Sequence, residues 1–375
     1  MSESSSKTNC FYRKTALIGT GLIGGSIGIA LRERCLVEEI TGYDHDLETC
    51  TRAVERGAID KTAASVLEAV QEADLIILAV PVLSTVELLK EILPAARKGA
   101  LVTDVGSTKA WIMEAVETII PEGVSFIGGH PMAGSEESGI RGADPALLEN
   151  AIYVLTPGPT TPKEVTAKLS NMLEEAGAQP LILDSLTHDR VVASVSHLPH
   201  LTAAALVQSV VGTDDLELVR TLAAGGFRDS TRIALGNPDV WRDICISNRW
   251  ALLAALKRYK ESLNSLEKHL TEPSAEAMEE YLQQARDYRS NIPHRGRGIL
   301  PEIFDVIVLV RDTPGVIGEI TTHLGEAGIN IDAIEILHVR ELAGGSIRIG
   351  FRSKENQQKA VNLLTKKGYR THIAG

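Results

Sequence analysis

A chain of 375 residues exceeds what one ordinary hydrophobic core holds, so two or three domains are expected. Its 44% hydrophobic and 23% charged residues are the balance of a globular cytoplasmic protein, and only 4% aromatics leave the core to Ala, Val, Ile and Leu. A formal net charge of -11 with no basic patch argues against nucleic acid, and the sequence shows no run of about 18 apolar residues that would argue for a membrane.

The N-terminus, residues 1–13, reads as a Ser-rich disordered tail without the apolar core of a signal peptide. Cys10, Cys35, Cys50 and Cys245 have neither metal-site spacing nor disulfide density, and read as free thiols in a reducing compartment. Apolar strands are predicted at 15–18, 39–43, 75–80, 101–104, 125–128, 152–155 and 180–183. Helical segments lie between most of them, such as 26–33, 84–93 and 108–120. That alternation predicts βαβ units in a mainly parallel, doubly wound sheet over residues 14–186. From about His188 the pattern is almost wholly helical (191–211, 216–224, 238–270, 273–289), predicting an all-helical domain over 187–292 that pairs with a second copy. Residues 293–302 read as a linker carrying the basic run His294-Arg295-Gly296-Arg297. Residues 303–375 resume the alternation as βαββαβ, a ferredoxin-like module.

Gly19-Thr20-Gly21-Leu22-Ile23-Gly24 stands between a strand and a helix. In a dinucleotide site the first glycine allows the tight turn, the second lets the backbone approach a pyrophosphate, and the third lets helix pack on strand. Glycines also gather in ordinary turns, so the motif gains weight from Asp44, about twenty residues on at the end of the second strand. A carboxylate there accepts from a ribose 2′-hydroxyl and repels a 2′-phosphate, and His45 and Asp46 bring no arginine. This favours NAD over NADP, although Asp44 also fits a turn. Ala79-Val80-Pro81 and Asp104-Val105-Gly106-Ser107-Thr108-Lys109 fall at the same ligand edge. Ser107 and Thr108 fit a helix N-cap equally well.

His130, in Gly128-Gly129-His130-Pro131-Met132-Ala133-Gly134-Ser135-Glu136, lies at a strand end facing the glycine loop. Imidazole suits proton abstraction near neutral pH, with a midpoint near pH ~6.5 if unperturbed, but a lone histidine is also a common core residue. In Ser194-Val195-Ser196-His197-Leu198-Pro199-His200 the proline disturbs a helix, and Ser196 and His200 share a face. Gly225-Gly226-Phe227-Arg228-Asp229-Ser230-Thr231-Arg232 sets two arginines beside a glycine pair. They read as a carboxylate clamp or, more plainly, as a surface ion pair.

Together the glycine loop, His130-Pro131-Met132-Ala133-Gly134, His197-Leu198-Pro199-His200 and Phe227-Arg228-Asp229-Ser230-Thr231-Arg232 resemble the prephenate dehydrogenase family over residues 15–293. The terminal module, with Asp312-Thr313-Pro314-Gly315 and Gly328-Ile329-Asn330, resembles an ACT domain. The resemblance implies an α/β Rossmann-type domain, then an all-helical dimerisation domain and a ferredoxin-like ACT domain, in a homodimer or larger homo-oligomer. It implies NAD-dependent oxidative decarboxylation of prephenate to 4-hydroxyphenylpyruvate in tyrosine biosynthesis. By that likeness His130 takes the hydroxyl proton and Ser107 bonds at the same centre. Arg232, beside Arg228, holds the ring carboxylate, Ser196 and His200 meet the other polar groups, and Glu136 and Asp229 gate Arg232. Gly19, Thr20, Gly21, Leu22, Ile23, Gly24, Asp44, Val80 and Pro81 would hold NAD. Asp312, Gly315 and Asn330 would serve tyrosine as effector, with Pro314 in the first helical turn, although a well-capped helix explains that corner too. No chorismate mutase domain is expected ahead of the first strand. The competing readings are an arogenate dehydrogenase, a β-hydroxyacid dehydrogenase, which would need a catalytic lysine, and an NAD- and amino-acid-sensing protein without catalysis.

Overall fold

The computed structural model describes residues 10–134, 139–213, 215–292, 304–310, 313–337 and 345–373. Glu136 and Asp312 lie outside them. The chain divides into two compact units, one running to Ser290 and one holding the residues from 304 onward.

The first unit is built on eight strands: β1 (Tyr12–Ile18), β2 (Val37–Tyr43), β3 (Lys61–Thr62), β4 (Leu75–Leu78), β5 (Leu101–Asp104), β6 (Ser125–Pro131), β7 (Ile152–Pro157) and β8 (Gln179–Ile182). Their order is β3-β2-β1-β4-β5-β6-β7-β8. Every adjacent pair is parallel except β6 and β7, where His130 faces Val154. Strand β4 is buried at all four positions, as a parallel strand covered on both faces must be. Its alternation divides the core: Leu75 and Ile77 join Leu17, Leu31 and Ile40 on one face, while Ile76 and Leu78 join Ile18, Val86 and Phe126 on the other. Six helices connect the strands: α1 (Leu22–Glu33), α2 (Leu47–Glu55), α3 (Val66–Val70), α4 (Val82–Ile92), α5 (Ala110–Ile119) and α6 (Lys163–Glu175). The strand order reverses between β1 and β4, so the carboxyl ends of these two strands flank the crevice where open α/β sheets bind ligands.

Beyond β8 the unit is helical: α7 (Ser185–Val192), a π-turn over Ala193–His197, α8 (Leu198–Val211), α9 (Leu216–Leu222), α10 (Gly225–Thr231), α11 (Pro238–Ser247), α12 (Arg249–Thr271) and α13 (Ala275–Ser290). The single helix read over 238–270 is two, broken at Asn248. Pro199 has no N–H to give residue 195, and the wider π-turn absorbs that defect just before it. The run Ser185–Val211 is long and apolar enough, by length and composition, to cross a membrane. Its buried groups nevertheless include His188, Asp189, His197 and His200, and the first three are hydrogen-bonded to protein groups. Leu206, Val211, Leu218, Leu222, Trp250, Leu253, Leu256 and Leu263 leave an exposed apolar surface on the helical part.

The second unit is a four-stranded antiparallel sheet, β9 (Phe304–Val310), β10 (Ala333–Leu337), β11 (Gly345–Phe351) and β12 (Arg370–Ile373), in the order β10-β11-β9-β12. It carries α14 (Val316–Glu326) and α15 (Lys354–Lys366). Val306, Val308, Ile347, Ile349, Ile320, Leu324 and Leu364 form its core.

Candidate functional site

The glycine loop opens directly from β1. Gly19 has φ +90, and a Cβ there would lie 2.2 Å from the Ala79 carbonyl oxygen, so only glycine fits beside the end of β4. At Gly24 a Cβ would come within 2.0 Å of the Gly19 carbonyl oxygen. Gly21 differs, because a Cβ there meets nothing within 4 Å. Its backbone borders open space at the N-terminus of α1, where unpaired N–H groups suit an anion. Asp44, at the end of β2, accepts from the Thr20 N–H through Oδ2 at 2.9 Å and from the Asp46 N–H through Oδ1 at 3.2 Å. The carboxylate therefore makes the turn and also pins the glycine loop.

A cleft of about 790 Å³ runs from this loop to the helical part. Gly21, Leu22, Ile23, Val80, Pro81, Ser107, His130, Ser196, His197, Trp241 and Asp243 are among its lining residues. A dinucleotide fits the acid at Asp44 and the bare glycine backbone at Gly21.

Around His130 the interior is polar. The ammonium of Lys109, wholly buried, bonds the equally buried Asp104 carboxylate and donates to the Gly129 carbonyl at 2.7 Å. Asp104 in turn accepts from the Gly106 and Gly129 N–H groups at 2.8 and 3.1 Å, which locks the end of β5 to the residue preceding His130. His130 Nδ1 lies 2.8 Å from His188 Nε2, and His188 Nδ1 lies 2.7 Å from Asp189 Oδ1. Asp189 also accepts from the Lys109 and Ala110 N–H groups at 2.8 and 2.9 Å. Burial, then His188, Lys109 and His197, push the His130 imidazole well below its ordinary value.

The N-cap reading of Ser107 and Thr108 is corrected. Helix α5 starts at Ala110, its first amides are capped by Asp189 from 79 and 80 residues away, and Thr108 donates to Ser247 Oγ at 2.9 Å. Ser107 is left at the cleft wall.

Ser196 lines the cleft, but His200 does not. It is buried and stacked on Trp241 with ring centroids 3.5 Å apart, and its Nδ1 has no hydrogen-bond partner. Arg228 and Asp229 are exposed on α10, away from the lining. Arg232 is also exposed and opens the short turn Arg232–Leu235, which hands Leu235 and Gly236 to the cleft wall. In the second unit Gly315, with φ +94, is the N-cap of α14, so Pro314 precedes the helix instead of occupying its first turn. Asn330 donates to Asp332 Oδ1 at 3.3 Å.

The sequence reading did not single out His188, Asp189, Asn248 or Trp241. The adjacent imidazole and carboxylate of His188-Asp189, just ahead of an apolar helix, were the available signal.

A glycine-loop cleft at the switch point of a doubly wound sheet, with an acid at the end of β2, defines an NAD-dependent dehydrogenase. The family model for the prephenate dehydrogenase nucleotide-binding domain matches residues 27–182, that for its dimerization domain matches 184–284, and that for the ACT domain matches 304–355. The chain belongs to the prephenate dehydrogenase family. It is 38% identical over 350 residues to a prephenate dehydrogenase of Bacillus subtilis, covering 93% of this chain and 94% of that one. The crystal structure of an A. aeolicus prephenate dehydrogenase in complex with hydroxyphenyl propionate and NAD+ superposes with TM-score 0.70 at 32% identity, over 75% of this chain and 98% of that one. A Synechocystis arogenate dehydrogenase superposes with TM-score 0.67 at 35% identity, over 75% and 100%.

Proposed function

We propose that the chain oxidises prephenate with NAD and releases CO2 to give 4-hydroxyphenylpyruvate, with His130 as the base. The observation that carries this reading is the His130 imidazole, backed by a buried polar network, on the wall of the cleft that begins at the glycine loop. NAD, held at Gly21 and Asp44, supplies the hydride acceptor. His130 removes the ring-hydroxyl proton as the carbon beneath it is oxidised. Loss of the ring carboxylate as CO2 aromatises the ring, and the imidazolium returns the proton to the phenolic oxygen, so atoms and charge balance. Aromatisation drives the decarboxylation without help from a metal. Ser107 bonds the same oxygen, Arg232 holds a carboxylate of the substrate, and Ser196 meets its remaining polar groups, while His200, stacked on Trp241 outside the cleft lining, backs the wall instead of touching substrate. Glu136 and Asp229 gate Arg232, and Arg228 stands with Arg232 for the carboxylate of the substrate.

The exposed apolar surface of the helical part supports a homodimer, as does the match to a dimerization domain. The ACT module supports amino-acid regulation, with tyrosine as the inhibitor received near Gly315 and Asn330. The enzyme acts in the cytoplasm. NADH formation, measured with prephenate and with arogenate, each with and without tyrosine, tests the proposal. Turnover of prephenate lowered by tyrosine is the expected result. Preference for arogenate overturns the substrate, and no turnover of either overturns the enzyme reading.

A further inference from the structure

Two side chains in the first unit have no assigned part in this chemistry, yet they contact the proposed base in sequence. They form a buried file, His130 to His188 to Asp189, with heavy-atom distances of 2.8 and 2.7 Å. All three residues are at most 8% exposed.

The hydrogen-bond directions can be worked out from the far end. Asp189 accepts from two backbone N–H groups at the N-terminus of α5, one at each carboxylate oxygen, so both oxygens act there as acceptors. A carboxylate that accepts at both oxygens has no proton to give, so His188 Nδ1 carries the hydrogen between them. With its hydrogen at Nδ1, His188 offers a lone pair at Nε2, and His130 Nδ1 is then the donor across the 2.8 Å contact. The one tautomer of neutral His130 that satisfies the file has Nε2 unprotonated, and His130 lines the cleft.

We propose that His188 and Asp189 are positioning residues for the reaction: they hold His130 as the Nε2-basic tautomer and share the positive charge when Nε2 takes the hydroxyl proton. The proton bond formed is N–H at His130 Nε2, and the one broken is the substrate O–H. The charge then spreads from His130 through Nδ1–H to His188 and is met by Asp189. Return of the proton to the product oxygen restores the starting tautomer. The other charged or titratable groups facing this file are the Lys109 ammonium, already bonded to Asp104, and His197, whose Nδ1 lies 3.3 Å from Asn248 Nδ2. Asn248 also donates to the Asp189 backbone carbonyl at 2.8 Å, fixing the helix that carries the file. Lys109 makes a cation at His130 costly, so a carboxylate two bonds away has a specific use.

The inference rests on His130 being the base, and its test has one readout that needs no substrate. In the full-length protein labelled with 15N-histidine, His130 should show a protonated Nδ1 and a bare Nε2 at neutral pH. A protonated Nε2 in the resting protein overturns the proposal whatever the substrate. Asp189→Asn should lower kcat roughly 10²- to 10⁴-fold, as loss of a tautomer-fixing carboxylate does elsewhere, with KM and NAD affinity changed about threefold or less. It should also move the acid limb of the kcat profile to lower pH, because the protonated base loses its counter-charge. Because Asp189 also caps α5, a fold failure there is bypassed by His188→Gln and His188→Leu. The glutamine can still accept from His130 Nδ1–H, so it should retain at least tenfold more kcat than the leucine variant. Folded variants that keep kcat and the pH profile of the parent overturn the proposal. A parent that forms no NADH from prephenate or arogenate overturns the function reading, while the nitrogen shifts still decide the tautomer.

Discussion

The backbone N–H of Thr20 donates to Asp44 Oδ2 at 2.9 Å, tying the glycine loop after β1 to the end of β2 before any cofactor is considered. Asp44 therefore holds the loop, beside its proposed use in meeting a ribose diol. Asp44→Ser should weaken NAD about 10- to 100-fold, the loss of one hydrogen bond to a charged acceptor at ~1.5–3 kcal/mol. It should also raise the NADP-to-NAD ratio of kcat/KM, because a negative charge facing the 2′-phosphate is gone. Coenzyme kinetics with both dinucleotides check this, and an unchanged ratio removes Asp44 from coenzyme selection.

An unperturbed imidazole would set the acid limb of activity near pH ~6.5. Burial and three neighbouring cationic or titratable groups hold His130 well below that, so the limb should fall clearly lower and kcat should be flat through neutrality. The stability consequence has a definite sign. Near pH ~6.5 the unfolded chain binds protons at histidines that the folded chain keeps neutral, so stability is lost as pH falls through that value and down to the folded ones. His197, lowered to about 4 chiefly by burial, acts in the same direction. Calorimetry should give a lower Tm at pH 5 than at pH 7.5. His130→Asn should cost two or more orders of magnitude in kcat and leave NAD affinity nearly intact. Near-normal turnover in that variant takes the base role away from His130.

The parts of this site that were legible in the sequence are those whose chemistry is local. Gly19, Gly21 and Gly24 announce a backbone that must turn and be approached closely, and apolar runs and helical periodicity located the strands other than β3 and the longer helices of the helical part. The file behind His130 was not legible because it is assembled across the fold. Asp189 caps a helix that begins 79 residues earlier in the chain, and Lys109 reaches the strand carrying His130. Ser107 and Thr108 had the right spacing for a cap, but a distant carboxylate won that role because it satisfies two amides at once. Pro314 failed for a related reason, since left-handed Gly315 already turns the chain into α14.

Arg232 opens the turn whose next residues, Leu235 and Gly236, reach the cleft wall. Arg232→Ala should raise KM for prephenate about 10- to 100-fold, the worth of a charge-assisted pair at ~1.5–3 kcal/mol. It should leave kcat within about threefold, because an anchor used equally in ground and transition states affects binding alone. A KM unchanged by the substitution rules out a carboxylate anchor at this position.

Lys109 and Asp104 form an ion pair with both side chains fully buried. Removing one partner of such a pair leaves an uncompensated charge, so Lys109→Met should destabilise by about 3–5 kcal/mol. Adding Asp104→Asn to that variant should restore part of the loss, since the stranded charge is then gone. Urea unfolding of the single and double variants checks it. A double variant less stable than Lys109→Met would mean that the Asp104 bonds to the Gly106 and Gly129 amides matter more than the buried charge.

Gly21 and Gly24 stand three residues apart in one motif, and their surroundings predict opposite failures. A Cβ at Gly24 would lie 2.0 Å from the Gly19 carbonyl oxygen and 2.9 Å from the Ala79 side chain, both fixed by the β1–β4 crevice. Gly24→Ala should therefore destabilise the protein by about 1–3 kcal/mol or more through overpacking, and lose NAD affinity as a consequence. A Cβ at Gly21 meets no protein atom within 4 Å and its φ of -70 suits alanine, so Gly21→Ala should melt within a degree or two of the parent. The methyl would instead occupy the space into which a pyrophosphate must come, weakening NAD at least about tenfold, or ~1.4 kcal/mol. Thermal melts paired with NADH fluorescence titrations separate the two effects. If Gly21→Ala binds NAD as the parent does, the dinucleotide does not lie against this backbone, and the cofactor site must be sought elsewhere in the cleft.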